Sequence, residues 1–256
     1  MSVGTLLSIE DDKNNLKTVM RKISTIVNEK GVVSEDEIKR TDINDYIIES
    51  FKPYSKCKNL YALVGSQLTM EEVEGISPYY YVYLISVISK HFDIVIVDSN
   101  SSLHHVTSYP LLTLAKNAYY VLNLDFNNVR NNQKYRGTLR QYGIADKVKY
   151  ILNEDLTDYQ DGAEKLEFNS YLLEDTFKLE AKIPMIDKIV FMNRIWRGTP
   201  CVLDDTKATL NARYEISKVA NQIYPIENLS WLEKEVKKDS KKDSKKDSKP
   251  GLFRRK

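Results

Sequence analysis

The sequence predicts an α/β fold, with a mostly parallel sheet flanked by helices. Three observations predict it. Apolar runs suited to strands alternate with helical stretches at intervals of roughly 20–35 residues. Three strand ends carry polar residues, Asp98, Asp125 and Asn153, and an open α/β sheet binds ligands along such a carboxyl edge. The chain has 256 residues, 42% of them hydrophobic, which suffices for one sizeable core or two small ones. The expected organisation is one domain over 1–230 and a disordered Lys-rich tail over 231–256.

The elements follow in order. Leu16, Val19, Met20, Ile23 and Ile26 recur at spacings of three to four, so a helix is expected over 14–28. In "GVVSEDEIKR" a turn leads to Ser34 as N-cap with Glu37 completing a capping box. "INDYIIESF" reads as a short helix or mixed segment, and "NLYALVGS" as a buried strand. A helix is expected from Thr69, with Glu72 three residues on. In "SPYYYVYLISVISKHF", Ser77 caps and Pro78 takes the first helical position. The apolar run goes nearly all round, which predicts a buried helix leading into a strand over 92–98.

"SYPLLTLAKNA" reads as a helix and "YYVLNLDF" as a strand. "NNVRNNQKYRGTLRQYGI" is a polar helix ended by Gly143. "KVKYILNEDL" is a strand, 164–178 a helix and "LEAKIPMI" a short strand. Two helices close the domain, "IVFMNRIWRGTP", stopped by Gly198, and "ATLNARYEISKVANQIYPI".

Charge and composition narrow the function. The net charge is +2, but residues 237–256 hold eight Lys and two Arg against three Asp, a net +7 that leaves −5 on residues 1–236. A mildly acidic body does not fit a strongly basic nucleic-acid-binding domain. Cys57 and Cys201 are far apart and form no CxxC, as expected for reduced thiols in a cytosolic protein. No signal peptide is visible, and no run approaches the ~18 apolar residues of a membrane span. His104 and His105 are adjacent but have no third ligand nearby in sequence.

The order "FDIVIVDSNSS", "AYYVLNLDFNNVRNNQKYRGTLRQYGI", "KVKYILNEDL", "AKIPMIDKIVFMNRIWRGTPCVL" and "ISKVANQIYPI" resembles the later part of the MinD/ParA family of P-loop ATPases, nearest its TadZ/CpaE-like branch. The resemblance covers roughly residues 3–226. It implies ATP and Mg²⁺ as ligands of a completed pocket. Asp98 would lie near Mg²⁺ as the Walker B aspartate. Asn153 would read the adenine edge, using its donor and acceptor. Pro184, Met185 and Ile186 would line the base pocket.

The sequence also departs from the family. It contains no GK[ST], whereas the family opens with KGGxGKT, and "DSNSS" stands where "DTPP" is usual. The chain reads as if it began one βαβ unit late. Backbone N–H groups and the lysine of the P-loop carry phosphoryl transfer, so this chain alone is not expected to hydrolyse ATP. Loss of that unit would expose the edges of "DIVIV". The chain would then be the later part of a longer protein, pair with a separately encoded P-loop piece, or have re-paired its strands.

The leading expectation is a non-catalytic or incomplete positioning or scaffold protein, with pilus or secretion assembly the first process to consider. One alternative is an active ATPase of plasmid or chromosome partition, or of cell-pole placement, whose P-loop is lost or supplied by another chain. Another is a pure protein-interaction module. The expected partner is a protein or a second copy.

Arg130, Lys134, Arg136 and Arg140 give one polar helix a basic character that admits DNA contact, though a solvated face is the simpler reading. The tail repeats "KKDS" three times and ends in Lys249, Leu252, Phe253, Arg254, Arg255 and Lys256. It resembles the stub of a membrane-targeting helix. Such cations offer salt-sensitive contact with anionic lipid at the inner face of the membrane, but two apolar residues insert little. A solubilising tether explains the tail equally well. The expected location is cytoplasmic.

Overall fold

A computed structural model describes residues 7–9, 11, 13–26, 41–65, 75–99, 105, 108–156, 160–161, 164–165, 167–226 and 229–247. They form two compact units. The first holds the described residues up to Ala118 together with Ile195–Pro200, and the second holds those of Tyr119–Arg194 and from Cys201 onward.

The first unit is built on three helices. Helix α1 (Leu16–Ser24) starts at Asn15, whose side chain accepts from the Thr18 N–H while Thr18 accepts from the Asn15 N–H. Two otherwise orphaned N–H groups are satisfied this way. Helix α2 spans Thr41–Glu49 and α3 spans Pro78–Ile88. Ser77 caps α3 and Pro78 opens it, as its sequence predicts. The helices meet through Val19, Met20, Ile23, Ile47, Tyr83, Leu84, Val87 and Ile88. The Tyr83 hydroxyl donates to Asn44 Oδ1 at 2.8 Å, so its burial leaves no polar atom unmatched. Helix α3 is not buried all round, because Tyr79 is 51% exposed.

Two expected strands of this unit are not formed as predicted. "NLYALVGS" contributes only β2 (Tyr61–Ala62), antiparallel to β1 (Lys52–Pro53). Pro53 has no N–H to extend the ladder, and the Val64 carbonyl instead accepts from the Leu16 N–H at 2.8 Å. Residues 94–99 have no regular secondary structure and pair with no strand among the described residues. Phe92 and Val95 pack on the helical core, while Ile94, Ile96 and Val97 are 45%, 83% and 45% exposed. An apolar run becomes a strand only beside another, and none stands there among the described residues.

The first unit continues with α4 (Ser108–Leu114), which packs with α3. Residues 195–200 join it through Tyr54, whose hydroxyl donates to the Gly198 carbonyl at 2.6 Å.

The second unit carries a three-stranded sheet in the order β3 (Ala118–Asn123), β4 (Val148–Asp155), β7 (Leu179–Pro184). Strands β4 and β7 run parallel, as the α/β expectation requires. Helix α5 (Phe126–Gln141) is capped by Asp125, which accepts from the Asn128 N–H at 2.7 Å, and the chain leaves it through Gly143 at φ +68°. Alternation along the strands sends side chains to two faces. Tyr120 and Tyr150 meet Tyr135 of α5 and Phe177 on one face. Ile151 and Ala181, with Tyr119 beside them, meet Val219 of α8 (Leu210–Ile223) on the other. The sheet is therefore flanked by helices on both faces.

The helix expected over 164–178 shortens to α6 (Ser170–Glu174), capped by Asn169 and preceded by a small hairpin of β5 (Gln160–Asp161) and β6 (Glu164–Lys165). Phe177 ends it by turning wholly into the core. Helix α7 (Lys188–Trp196) buries none of its residues, and Ile189, Met192 and Trp196 are 71%, 54% and 89% exposed.

Helix α9 (Leu229–Asp247) moves the boundary of the tail. Disorder was expected from 231, but the structure is helical through Asp247. Leu232 is buried, and Glu233–Lys237 and Glu235–Lys238 ion pairs support the helix. The caps expected at Ser34 with Glu37 and at Thr69 with Glu72 lie outside the described residues, as do 248–256 with Lys249, Leu252, Phe253, Arg254, Arg255 and Lys256. No helix among the described residues is long and apolar enough to cross a membrane.

Candidate functional site at the sheet edge

The carboxyl ends of β4 and β7 bring together most of the residues expected to bind a ligand. Asp155 stands opposite Pro184, and the Met185 N–H donates to the Asp155 carbonyl at 3.2 Å. The register breaks between Leu152 and Asp155, and Glu154 adopts φ +53°. A non-glycine residue in the left-handed region carries backbone strain, which concentrates at functional edges.

Asn153 lies in this irregular end of β4, half-buried, with no hydrogen-bond partner for its amide among the described residues. Its donor and acceptor are both available, the arrangement needed to read a base edge. Pro184 and Ile186 are half-buried and Met185 is 48% exposed, so the strip beside Asn153 is apolar. Asp187 follows, and its Oδ1 accepts from the Ile189 and Val190 N–H groups at 2.9 and 3.1 Å, opening α7.

Lys182 is a residue that sequence reading missed. Its Nζ pairs with Glu174 at 2.7 Å. The bond to Glu174 raises its pKa, against desolvation, and the nearby Asp155 charge adds to the rise. The only signal in sequence was a cation inside the apolar run "AKIP".

Asp98 belongs to the first unit, whereas Asn153, Pro184, Met185 and Ile186 belong to the second. It is exposed, makes no hydrogen bond or ion pair among the described residues, and ends the unpaired segment rather than a strand. Asp125, a third polar strand end, is already used as the α5 cap.

The four cations of α5 do not form one face. Positions 134 and 136 are about 200° apart around a helix, so Arg130 and Lys134 separate from Arg136 and Arg140. Arg136 donates to the Thr176 carbonyl and lies over the Phe177 ring. Cys57 and Cys201 are free thiols, and burial raises the pKa of Cys201. His104 lies outside the described residues, His105 is half-buried, and no cluster of metal-ligating side chains occurs among the described residues.

No protein-family model and no curated protein matches this sequence. Solved structures do. The MinD cell division protein of Aquifex aeolicus aligns over 86% of this chain and 78% of its own, with a TM-score of 0.58 and 15% identity. A ParA family ATPase from Chlorobium tepidum TLS aligns over 84% and 90%, with a TM-score of 0.53 and 18% identity. The MinC:MinD cell division protein complex of Aquifex aeolicus aligns over 86% and 87%, with a TM-score of 0.53 and 17% identity. With strands β4 and β7 parallel, helices on both faces and an irregular carboxyl edge, this chain has the fold of MinD and ParA family ATPases.

Proposed function

We propose that this chain is a positioning or scaffold protein of MinD/ParA type that does not hydrolyse ATP by itself. One observation carries the reading. The segment leading to Asp98 pairs with no strand among the described residues and exposes Ile94, Ile96 and Val97, and the sequence has no GK[ST] to place a lysine and a hydroxyl on phosphates and Mg²⁺. An isolated carboxylate repels a triphosphate, and catalysis of phosphoryl transfer rests on positioned positive charge.

On this reading, the strip formed by Asn153, Pro184, Met185 and Ile186 is the base-binding part of an ATP·Mg²⁺ pocket whose phosphate loop belongs to an upstream segment or to another chain. The protein acts by docking, on a protein partner or a second copy. The resemblance to the TadZ/CpaE-like branch points to pilus or secretion assembly in the cytoplasm. The basic C-terminal segment adds weak contact with the anionic inner face of the membrane.

The test is single-turnover hydrolysis of ATP with Mg²⁺ by the purified chain. The expected result is no release above a buffer blank, unchanged in Asp98→Ala. Turnover that Asp98→Ala abolishes would overturn the proposal. A second reading is an ATPase of partition or cell-pole placement whose phosphate loop arrives in trans. The same segment favours it, because an apolar run with no strand beside it among the described residues can pair with a strand of another chain by β-augmentation. It predicts hydrolysis only after a chain carrying KGGxGKT is added.

A further inference from the structure

The amino-terminal edge of the sheet, opposite the strip described above, holds a cluster of cations that the proposed function does not use. Arg136 and Arg140 come from α5, Lys149 from the start of β4 and Lys178 from the residue before β7, and they line one cavity of about 280 Å³. Lys149 and Asn153 are four residues apart on β4, which separates the two edges by about 13 Å.

Several observations suit this cavity to an anion. Arg136 and Arg140 are one helical turn apart on the same face, a like-charge pairing that destabilises a helix unless something neutralises it. None of the four cations makes an ion pair among the described residues, although Asp146 and Glu180 also line the cavity. The lining groups sum to +2. Two of the cations are held in place. Arg136 is fixed by the Thr176 carbonyl and the Phe177 ring. Lys149 turns its ammonium to the α8 face, over Tyr119 and to Gln222 at 3.2 Å, where Gln222 also donates to Glu180 at 2.8 Å; Lys149 and Glu180 offset each other there, and Arg136, Arg140 and Lys178 against Asp146 leave +2 on the α5 side. Arg140 and Lys178 remain exposed with no bonded partner among the described residues.

The size of the cavity sets the ligand class. Small-molecule sites span roughly 300–1,000 Å³, so this one suits a compact anion. Planar guanidinium forks match the oxygens of phosphate in pairs. We infer that the amino edge of the second unit is a binding site for a compact diphosphate anion, separate from the strip at Asn153.

The test is calorimetric titration of the full chain with inorganic pyrophosphate, with divalent metal chelated. Saturable binding is expected, weakening as salt rises. Arg140→Gln should weaken it at least tenfold, and Arg140→Gln with Lys178→Gln should abolish it. Both side chains are exposed, and circular dichroism checks that the variants remain folded. Asn153→Ala and Asp98→Ala should bind like the wild type, which keeps this site distinct from the proposed ATP strip. Absence of saturable binding overturns the inference, as does binding that survives the double variant. Tighter binding of duplex DNA than of pyrophosphate, lost in the same variant, also overturns it in favour of a nucleic-acid surface.

Discussion

Individual carboxylates make the stability of this protein depend on pH. Asp11 accepts from the Asn14 and Lys13 N–H groups and pairs with Lys52 at 3.0 Å. These bonds, led by that from Asn14, lower its pKa from 3.8 to about 2. For Asp204, burial pushes the carboxyl up, but Arg194 at 2.6 Å and two bonds from Thr206 outweigh it and leave its pKa below the usual value. A carboxylate depressed in the folded state contributes stability above its unfolded pKa and loses it as pH falls through the folded pKa. The urea midpoint should therefore fall as pH drops from about 4 toward 2, and Asp11→Asn should flatten part of that slope. An identical slope in the variant would remove Asp11 from the account.

Elements stand or fall on their ends and neighbours. The reciprocal cap of α1 satisfies two backbone donors beside the first-unit core, so Asn15→Ala should cost about 1 kcal/mol, read as a lower urea midpoint at unchanged slope. A midpoint equal to wild type would mean that the cap is redundant.

The same logic explains what the sequence made legible. Helix starts were readable at Ser77–Pro78, because capping chemistry is local. Strands β4 and β7 were readable from their apolar runs. The equally apolar segment 92–98 predicts a strand, yet a strand needs a neighbour that composition does not reveal. The strain at Glu154 and the Lys182–Glu174 pair depend on register across β4, α6 and β7, and no periodicity carries that information. In α9, "KKDS" lacks the apolar content that suggests order, but Leu232 anchors the helix upstream of the repeats.

At the scale of the whole molecule there are two units, one cored by the contacts of α1, α2 and α3 and the other by a sheet with a helix on each face. Among the described residues, α7 stands apart from both cores in burying no side chain. That exposure has an optical consequence. The chain has only two tryptophans, Trp196 and Trp231, so Trp231→Phe leaves Trp196 as the sole indole emitter. At 89% exposure, Trp196 should fluoresce at the long wavelengths of solvated indole and be readily quenched by iodide. A partner seated on α7 should shift the emission to the blue and suppress quenching. A blue-shifted, unquenchable signal in the isolated protein would mean that copies already cover one another. The helix thus supplies a native reporter, by which binding to an unmodified partner can be titrated without a dye.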